Sequence, residues 1–234
     1  MIISEPLIQG TLIKRYKRFL ADVELEDGSV VTAHSANTGS MTGCSTPGAK
    51  VWLSDSKSET RKYPLSWELV EADGGALTGI NTGLANRLVQ EAIENGTVKE
   101  LQGYETIRTE VKYGHERSRI DVLLEDAKKG LCYVEVKSVT LMVGGQARFP
   151  DAVSARGTKH LRELMAMVEA GHRAVIFYCI QRGDCETFAP ADEIDPEYGT
   201  TLRQAILAGV EALAYKADVS SDEIKLQTKV PVQV

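Results

Sequence analysis

Long apolar runs are missing from this chain of 234 residues. The longest kind, residues 173–180, is far short of the roughly 20 residues needed to cross a bilayer, so no membrane partner is expected. The N-terminus, Met1-Ile-Ile-Ser-Glu-Pro6, lacks the basic start and apolar core of an export signal, which points to a cytoplasmic location. Cysteine is scarce: Cys44, Cys132, Cys179 and Cys185 form no C-x-x-C pair and no cluster with His34, His115, His160 or His172. That spacing argues against a structural zinc site and suits a reducing compartment. Positive charge is not in excess, since 27 Lys and Arg against 33 Asp and Glu leave a net −6. Such a balance excludes a protein that coats nucleic acid over its whole surface. It permits a local basic groove, because binding follows the potential within a Debye length of roughly 8–10 Å. Repeats, low-complexity tracts and a helix-turn-helix pattern are also absent, so a recognition helix in the major groove is not expected.

What is present is a globular composition, 43% hydrophobic and 26% charged, in a chain long enough for one large or two small domains. Residues 1–80 read as short strands broken by turn chemistry: an extended stretch over 7–25, a turn at Gly28-Ser29, then strands over 30–34, 50–54 and 67–71. About five short strands in that span predict a small OB-like β-barrel. Residues 81–234 begin with a helix, capped by Asn81 or Thr82, whose apolar stripe runs through Leu84, Leu88 and Ala92 to Asn95-Gly96. Strands follow over 106–113, 118–124 and 131–139, a helix over 158–170, a strand over 173–180, helical residues 202–207 and a final strand over 210–217. The order predicts a mixed-sheet α/β domain, so that the whole chain is α+β.

Two of these strands carry chemistry. Side chains alternate across a strand, so Asp121 lies opposite the face of Ile120, Val122 and Leu124, while Glu135 and Lys137 lie opposite Val134 and Val136. In register as antiparallel neighbours, the strands bring Asp121 and Glu135 together with Lys137 beside them. Two partly buried carboxylates repel unless a cation holds both ionised. A hard ion, Mg²⁺ or Mn²⁺, satisfies that need, and it activates water and offsets charge on a phosphodiester. An acid followed 14 residues later by E-x-K on the adjoining strand resembles the PD-(D/E)xK nucleases. The competing reading is a solvated Glu/Lys ladder. The reading of Asp121, Glu135 and Lys137 as catalytic, with Asp121 and Glu135 as metal ligands, is favoured because charges at three positions of an otherwise covered sheet demand a reason. Glu91, on the margin of the helical stripe, is a fourth candidate by resemblance, against the alternative of an exposed helical acid, and Glu110 is a weaker fifth.

Candidates for nucleic-acid contact follow from charge. Lys14, Arg15, Lys17 and Arg18 surround Tyr16, a pattern suited to phosphate contact with base stacking, or equally to an edge strand protected by charge. Arg87 and Arg119 sit near the acids, where they hold either phosphate or the acids themselves. Lys159 and Arg162 flank His160 early in the helix after the E-x-K strand, as phosphate ligands or as a solvated face. The turn over residues 37–39 reads as structural rather than binding.

Many segments together resemble one family along nearly the whole chain. They include Leu12-Ile-Lys-Arg-Tyr-Lys-Arg-Phe-Leu20, Asn37-Thr-Gly-Ser-Met-Thr-Gly-Cys44, Asn86-Arg87 and Glu110-Val-Lys-Tyr-Gly114. Glu116-Arg-Ser-Arg-Ile-Asp121, Tyr133-Val-Glu-Val-Lys-Ser-Val-Thr140, Phe149-Pro-Asp-Ala152 and Lys159-His-Leu-Arg-Glu163 complete the set. The chain resembles the sugar fermentation stimulation protein A family. That resemblance implies an N-terminal OB-like domain, a restriction-endonuclease-like C-terminal domain, DNA as partner with RNA as the alternative, and a regulatory link to sugar metabolism, including maltose genes.

Overall fold

The computed structural model describes residues 1–3, 5–114 and 118–234, so the start of the motif at Glu116 lies outside the described residues. Five strands close into a barrel: β1 (Ile8–Tyr16), β2 (Leu20–Leu25), β3 (Val30–Ser35), β4 (Lys50–Asp55) and β5 (Leu65–Glu71). Their order is β3-β2-β1-β4-β5, and β3 returns to pair with β5 in parallel, which removes the open edges. Inward positions Leu12, Val23, Leu53, Trp67 and Val70 are fully buried in one cluster. A short β6 (Leu77–Gly79) leads out of the barrel.

The extended stretch expected over 7–25 is in fact a hairpin. Lys17 and Arg18 turn the chain with φ of 49° and 64°, a conformation unfavourable for side chains with a Cβ. No Gly or Asn marks the turn, so the sequence concealed it.

The second domain starts with α1 (Ala85–Glu94), then the antiparallel meander β7 (Thr106–Tyr113), β8 (Ser118–Asp126) and β9 (Gly130–Val139). After β10 (Leu141–Val143) and β11 (Gln146–Phe149) come α2 (Ala155–Glu169), β12 (Arg173–Ile180), β13 (Thr187–Pro190), α3 (Pro196–Leu207), β14 (Glu211–Val219) and β15 (Ile224–Lys229). Six strands form one mixed sheet, ordered β15-β14-β12-β9-β8-β7, with β9, β12 and β14 parallel. The apolar run of β12 is explained by cover on both faces. Val175 and Phe177 pack with Leu88 and Val89 of α1, while Ile176 and Tyr178 pack with Leu161 of α2 and Leu202 of α3. Contrary to the expectation of a final strand over 210–217, β15 follows β14 and pairs to it antiparallel. A small sheet, β10-β11-β13, was also not anticipated. The helices start earlier than their apolar periodicity suggests because side chains cap them: Ser154 accepts from Gly157 N–H, and Asp195 from Tyr198 N–H with Pro196 in the first turn. Among the described residues no helix is long and apolar enough to cross a membrane.

The domains meet through apolar packing, with Leu69 of β5 in the same buried cluster as Leu88 and Val89 of α1, and through polar contacts. Gly79 N–H donates to Gln181 O at 2.8 Å. Thr82 N–H donates to Ala36 O at 3.1 Å, and Met41 N–H donates to Asp151 Oδ2 at 3.0 Å. Ser40 Oγ also donates to Asp151 O. Gly39 is pressed against the same residue, where an added Cβ would lie 2.3 Å from Asp151 Oδ2. Gly39→Ala therefore has to displace a carboxylate that Met41 holds. Overpacking of this kind costs about 1–3 kcal/mol, and thermal unfolding should show it as a drop of several degrees. An unchanged melting temperature would mean that the 37–41 loop is not clamped on Asp151.

Candidate metal and phosphodiester site

The site forms where the β8–β9 ladder opens. Their pairing runs from Asp126↔Gly130 to Val122↔Val134 and stops one step before Asp121 and Glu135. Instead of continuing the ladder, Asp121 Oδ2 accepts the Val136 N–H at 2.7 Å. On the other edge of β8, Thr109 pairs with Val122 and Val111 with Ile120, while the intervening Glu110 has a φ of 54°. Backbone of this kind is held by its surroundings and often lies at functional sites. The local irregularity also corrects the expected strand face: Val122 and Leu124 pack toward α1, but Ile120 packs with the opposite cluster.

Asp121, Glu135 and Lys137 come together in a cleft of about 340 Å³ between the two domains. Asp121 Oδ1 accepts from Asn86 Nδ2 of α1 at 2.8 Å. Asn86 Nδ2 also lies 3.5 Å from Glu110 Oε1, which brings that strand's acid toward the site. Lys137 Nζ donates to Glu135 Oε1 at 2.8 Å and stands 3.1 Å from His160 Nδ1. His160 Nδ1 is in close contact with the same Glu135 oxygen, and Arg156 Nε approaches His160 Nε2 at 3.4 Å. A guanidinium only donates, so Nε2 accepts from Arg156 and the imidazole proton sits on Nδ1, donated to Glu135, with the Lys137 ammonium beside Nδ1 but bonded to Glu135. The histidine thus fixes Glu135.

Charge is unevenly held. Burial and then the charge of Glu135 push the Asp121 carboxyl up to about 6, against the Val136 N–H, Lys137 and Asn86. Burial also raises Glu135, but the Lys137 charge and the His160 bond outweigh it and hold that carboxyl below its ordinary value. Glu135 is 2% exposed, and its Oε2 is buried without a hydrogen-bond partner among the described residues. An unpartnered carboxylate oxygen in the same cleft as a second acid suits a hard cation, and each Asp121 oxygen keeps a lone pair beyond its one hydrogen bond. No group of three His, Cys, Asp or Glu positioned for a metal occurs among the described residues, and the carboxylates that line the cleft beside Lys137 are Asp121 and Glu135.

The other candidates lie elsewhere. Glu91 accepts from the Met1 ammonium at 3.0 Å and does not line the cleft. Arg87 is exposed on α1 and borders a separate hollow with Met1 and Glu68. Arg119 is exposed and cross-strand from Lys112, and Arg162 is exposed on α2; of that helix's cations, Arg156 lines the cleft, whereas Lys159 and Arg162 do not. On the barrel, Tyr16 Oη donates to Asp22 at 3.0 Å, Lys14 pairs with Asp22 at 3.5 Å, and Lys17 and Arg18 form the turn. Arg15 turns inward, donating to Asn37 O at 2.8 Å and Gly39 O at 3.0 Å, and thereby supports one wall of the cleft. Sequence reasoning missed Asn86 as the partner of Asp121 and Arg156 as a cleft cation; for Arg156 the signal was its place one helical turn before His160, while Asn86 had none within its own helix.

Comparison with known proteins matches this architecture. Residues 83–223 match the family described as the sugar fermentation stimulation protein RE domain, and residues 13–80 the SfsA N-terminal OB domain. A sugar fermentation stimulation protein homolog of Geobacter metallireducens is 62% identical over 232 residues, covering 99% of both chains. One from a Shewanella species is 55% identical over 234 residues, covering all of both. The structure of Pyrococcus furiosus SfsA in complex with Ca²⁺ is 29% identical, with a TM-score of 0.89 over 100% of this chain and 98% of that one. A barrel joined to a mixed sheet, matched end to end by these relatives, makes the chain a member of the sugar fermentation stimulation protein A family.

Proposed function

We propose that this chain binds nucleic acid, DNA in the first place, and hydrolyses phosphodiester bonds with a divalent cation, Mg²⁺ or Mn²⁺, held between Asp121 and Glu135. The observation that carries this reading is the buried, unpartnered Glu135 Oε2 in the same cleft as the raised Asp121 carboxyl. The Ca²⁺ bound to the Pyrococcus relative supports a divalent ion of the same hard class. Such an ion, when bound, supplies an activated water and positive charge against the phosphoryl oxygens.

The chain's own groups do the rest. Asn86 and the Val136 N–H fix the two oxygens of Asp121, so that its carboxylate is set before any ligand arrives. His160 and Lys137 hold Glu135 Oε1 and leave Oε2 for the ion. The Lys137 ammonium carries three protons, one given to Glu135; the others serve to orient a water or to offset charge on a phosphate oxygen. Regulation of sugar metabolism, maltose genes included, would then act through nucleic-acid contact. A second reading, a DNA-binding regulator that does no chemistry, draws on the lack, among the described residues, of three such side chains positioned for a metal.

The test is incubation of the purified protein with single-stranded, duplex and branched DNA and with RNA, in Mn²⁺ or in EDTA. Cleavage that requires the metal supports hydrolysis. Salt-dependent binding without cleavage on every substrate selects the regulator, and neither binding nor cleavage removes both.

A further inference from the structure

We propose that the cleft takes its nucleic acid as an unpaired strand, with a phosphate neighbouring the scissile one held by Arg148 and Arg156. The proposal rests on the hydrolytic reading above and goes further by naming the form of the substrate.

Depth is the first argument. Glu135 and Lys137 are only 2% and 9% exposed, so a reacting phosphate has to descend to them. The cleft, at about 340 Å³, is at the small end of the roughly 300–1,000 Å³ of small-ligand sites. Its walls belong to different domains, residues 37–39 from the barrel and residues 148–154 from the second domain. Asp151 ties these walls together through Met41 and Ser40, and Arg15 braces the barrel side from behind. A duplex is wider than its own major groove, about 12 Å across, and cannot lower its backbone between tied walls. An unpaired strand presents one phosphate at a time and bends freely, so it can enter.

Charge is the second argument. Arg148 on β11 lines the cleft with Nη1 held by Glu193 at 2.9 and 3.0 Å, while its Nε is buried without a partner among the described residues. A buried donor left unmade is unfavourable unless a ligand completes it. Arg156, in the first turn of α2, is exposed at the same cleft and among the described residues has only the long contact to His160. Guanidinium groups match phosphate oxygens in geometry as well as charge. The cleft thus divides into an acidic floor for a cation and a basic part for an anion. The cations outside it, Arg87, Arg119 and Arg162, do not extend this basic part along the cleft.

Fluorescence anisotropy in Ca²⁺ and cleavage in Mn²⁺ test the idea, using one labelled sequence as unpaired DNA, unpaired RNA and blunt duplex. The unpaired form should bind at least about tenfold more tightly than the duplex, equivalent to about 1.4 kcal/mol, and should be cut faster. The two unpaired arms decide between DNA and RNA. Arg156→Ala is an exposed change that leaves folding intact. It should weaken unpaired-strand binding and reduce the salt slope by about 0.7, the value for one phosphate contact on a single strand. Arg148→Lys keeps the charge but loses the fork, and should weaken binding too. Duplex bound and cut as well as the unpaired strand overturns this proposal while leaving hydrolysis standing, as does an Arg156→Ala protein with unaltered affinity and slope. Preferential unpaired binding with no cleavage of any substrate supports the strand preference and removes the hydrolytic reading instead.

Discussion

Asp121→Asn should abolish nearly all Mn²⁺-dependent cleavage, by about a hundred- to a thousandfold on the scale of losing one group that stabilises transition-state charge, while the protein melts no lower than the parent. Asn keeps an acceptor for the Val136 N–H but contributes no negative charge toward the ion. It also removes the repulsion that Asp121 and Glu135 exert on each other in a buried place, so the folded state gains. Lys137→Ala should fall as far in activity yet behave differently in stability. Its ammonium is one of the two groups that hold Glu135 below its ordinary pKa, and with it gone a 2%-exposed carboxylate keeps only His160. Breaking a buried pair in this way typically costs about 3–5 kcal/mol. Gel-based cleavage and thermal unfolding of both variants give the comparison. A solvated ladder of Glu and Lys predicts small changes in both assays for both variants, and that result would end the case for a built site.

The strand pair and its acids were legible because period-two alternation is a local property. Val134 and Val136 on one face force Glu135 and Lys137 to the other, and the structure buries both sets accordingly. The run over β12 was legible for the same reason, since unbroken apolar sequence at strand length implies cover on two sides. What escaped was set by partners distant in sequence. His160 reads as one more polar residue on α2 until the fold places it against Glu135, 25 positions away. Asn86 gains meaning only from Asp121, 35 positions away. The hairpin at Lys17 and Arg18 was hidden because turn residues are recognised by Gly and Asn, and tertiary closure of the barrel overrode that preference. β15 was missed since only Ile224 and Leu226 of its six residues are buried, too few for an apolar run.

Stability of the metal-free protein should decline as pH rises toward 6, the reverse of what a salt-bridged acid gives. Asp121 titrates at about 6 in the folded chain against 3.8 for the ordinary group. Between those values the folded state binds more protons than the unfolded one, so raising the pH favours unfolding, by roughly 2–3 kcal/mol in all at 1.36 kcal/mol per pH unit. Glu135 works in the other direction, but lower down. Its carboxyl is held below 4.5, so the stability it contributes is lost only as pH falls through that lower value. Within this pair, the window from about 4.5 to 6 therefore belongs to Asp121. Mg²⁺ should cancel the decline, because a cation between the acids favours the ionised pair, and at a hundred times its Kd it adds about 2.7 kcal/mol. The stabilisation should be larger at pH 7 than at pH 5, where a proton on Asp121 competes with the ion. Urea unfolding at pH 4.5, 5, 6 and 7, in EDTA and in Mg²⁺, measures both effects, with Asp121→Asn as the control that should flatten the slope and lose the Mg²⁺ response. If the variant kept the parent's slope, the titrating group would lie elsewhere; if it kept the parent's Mg²⁺ response, Asp121 would not be a ligand.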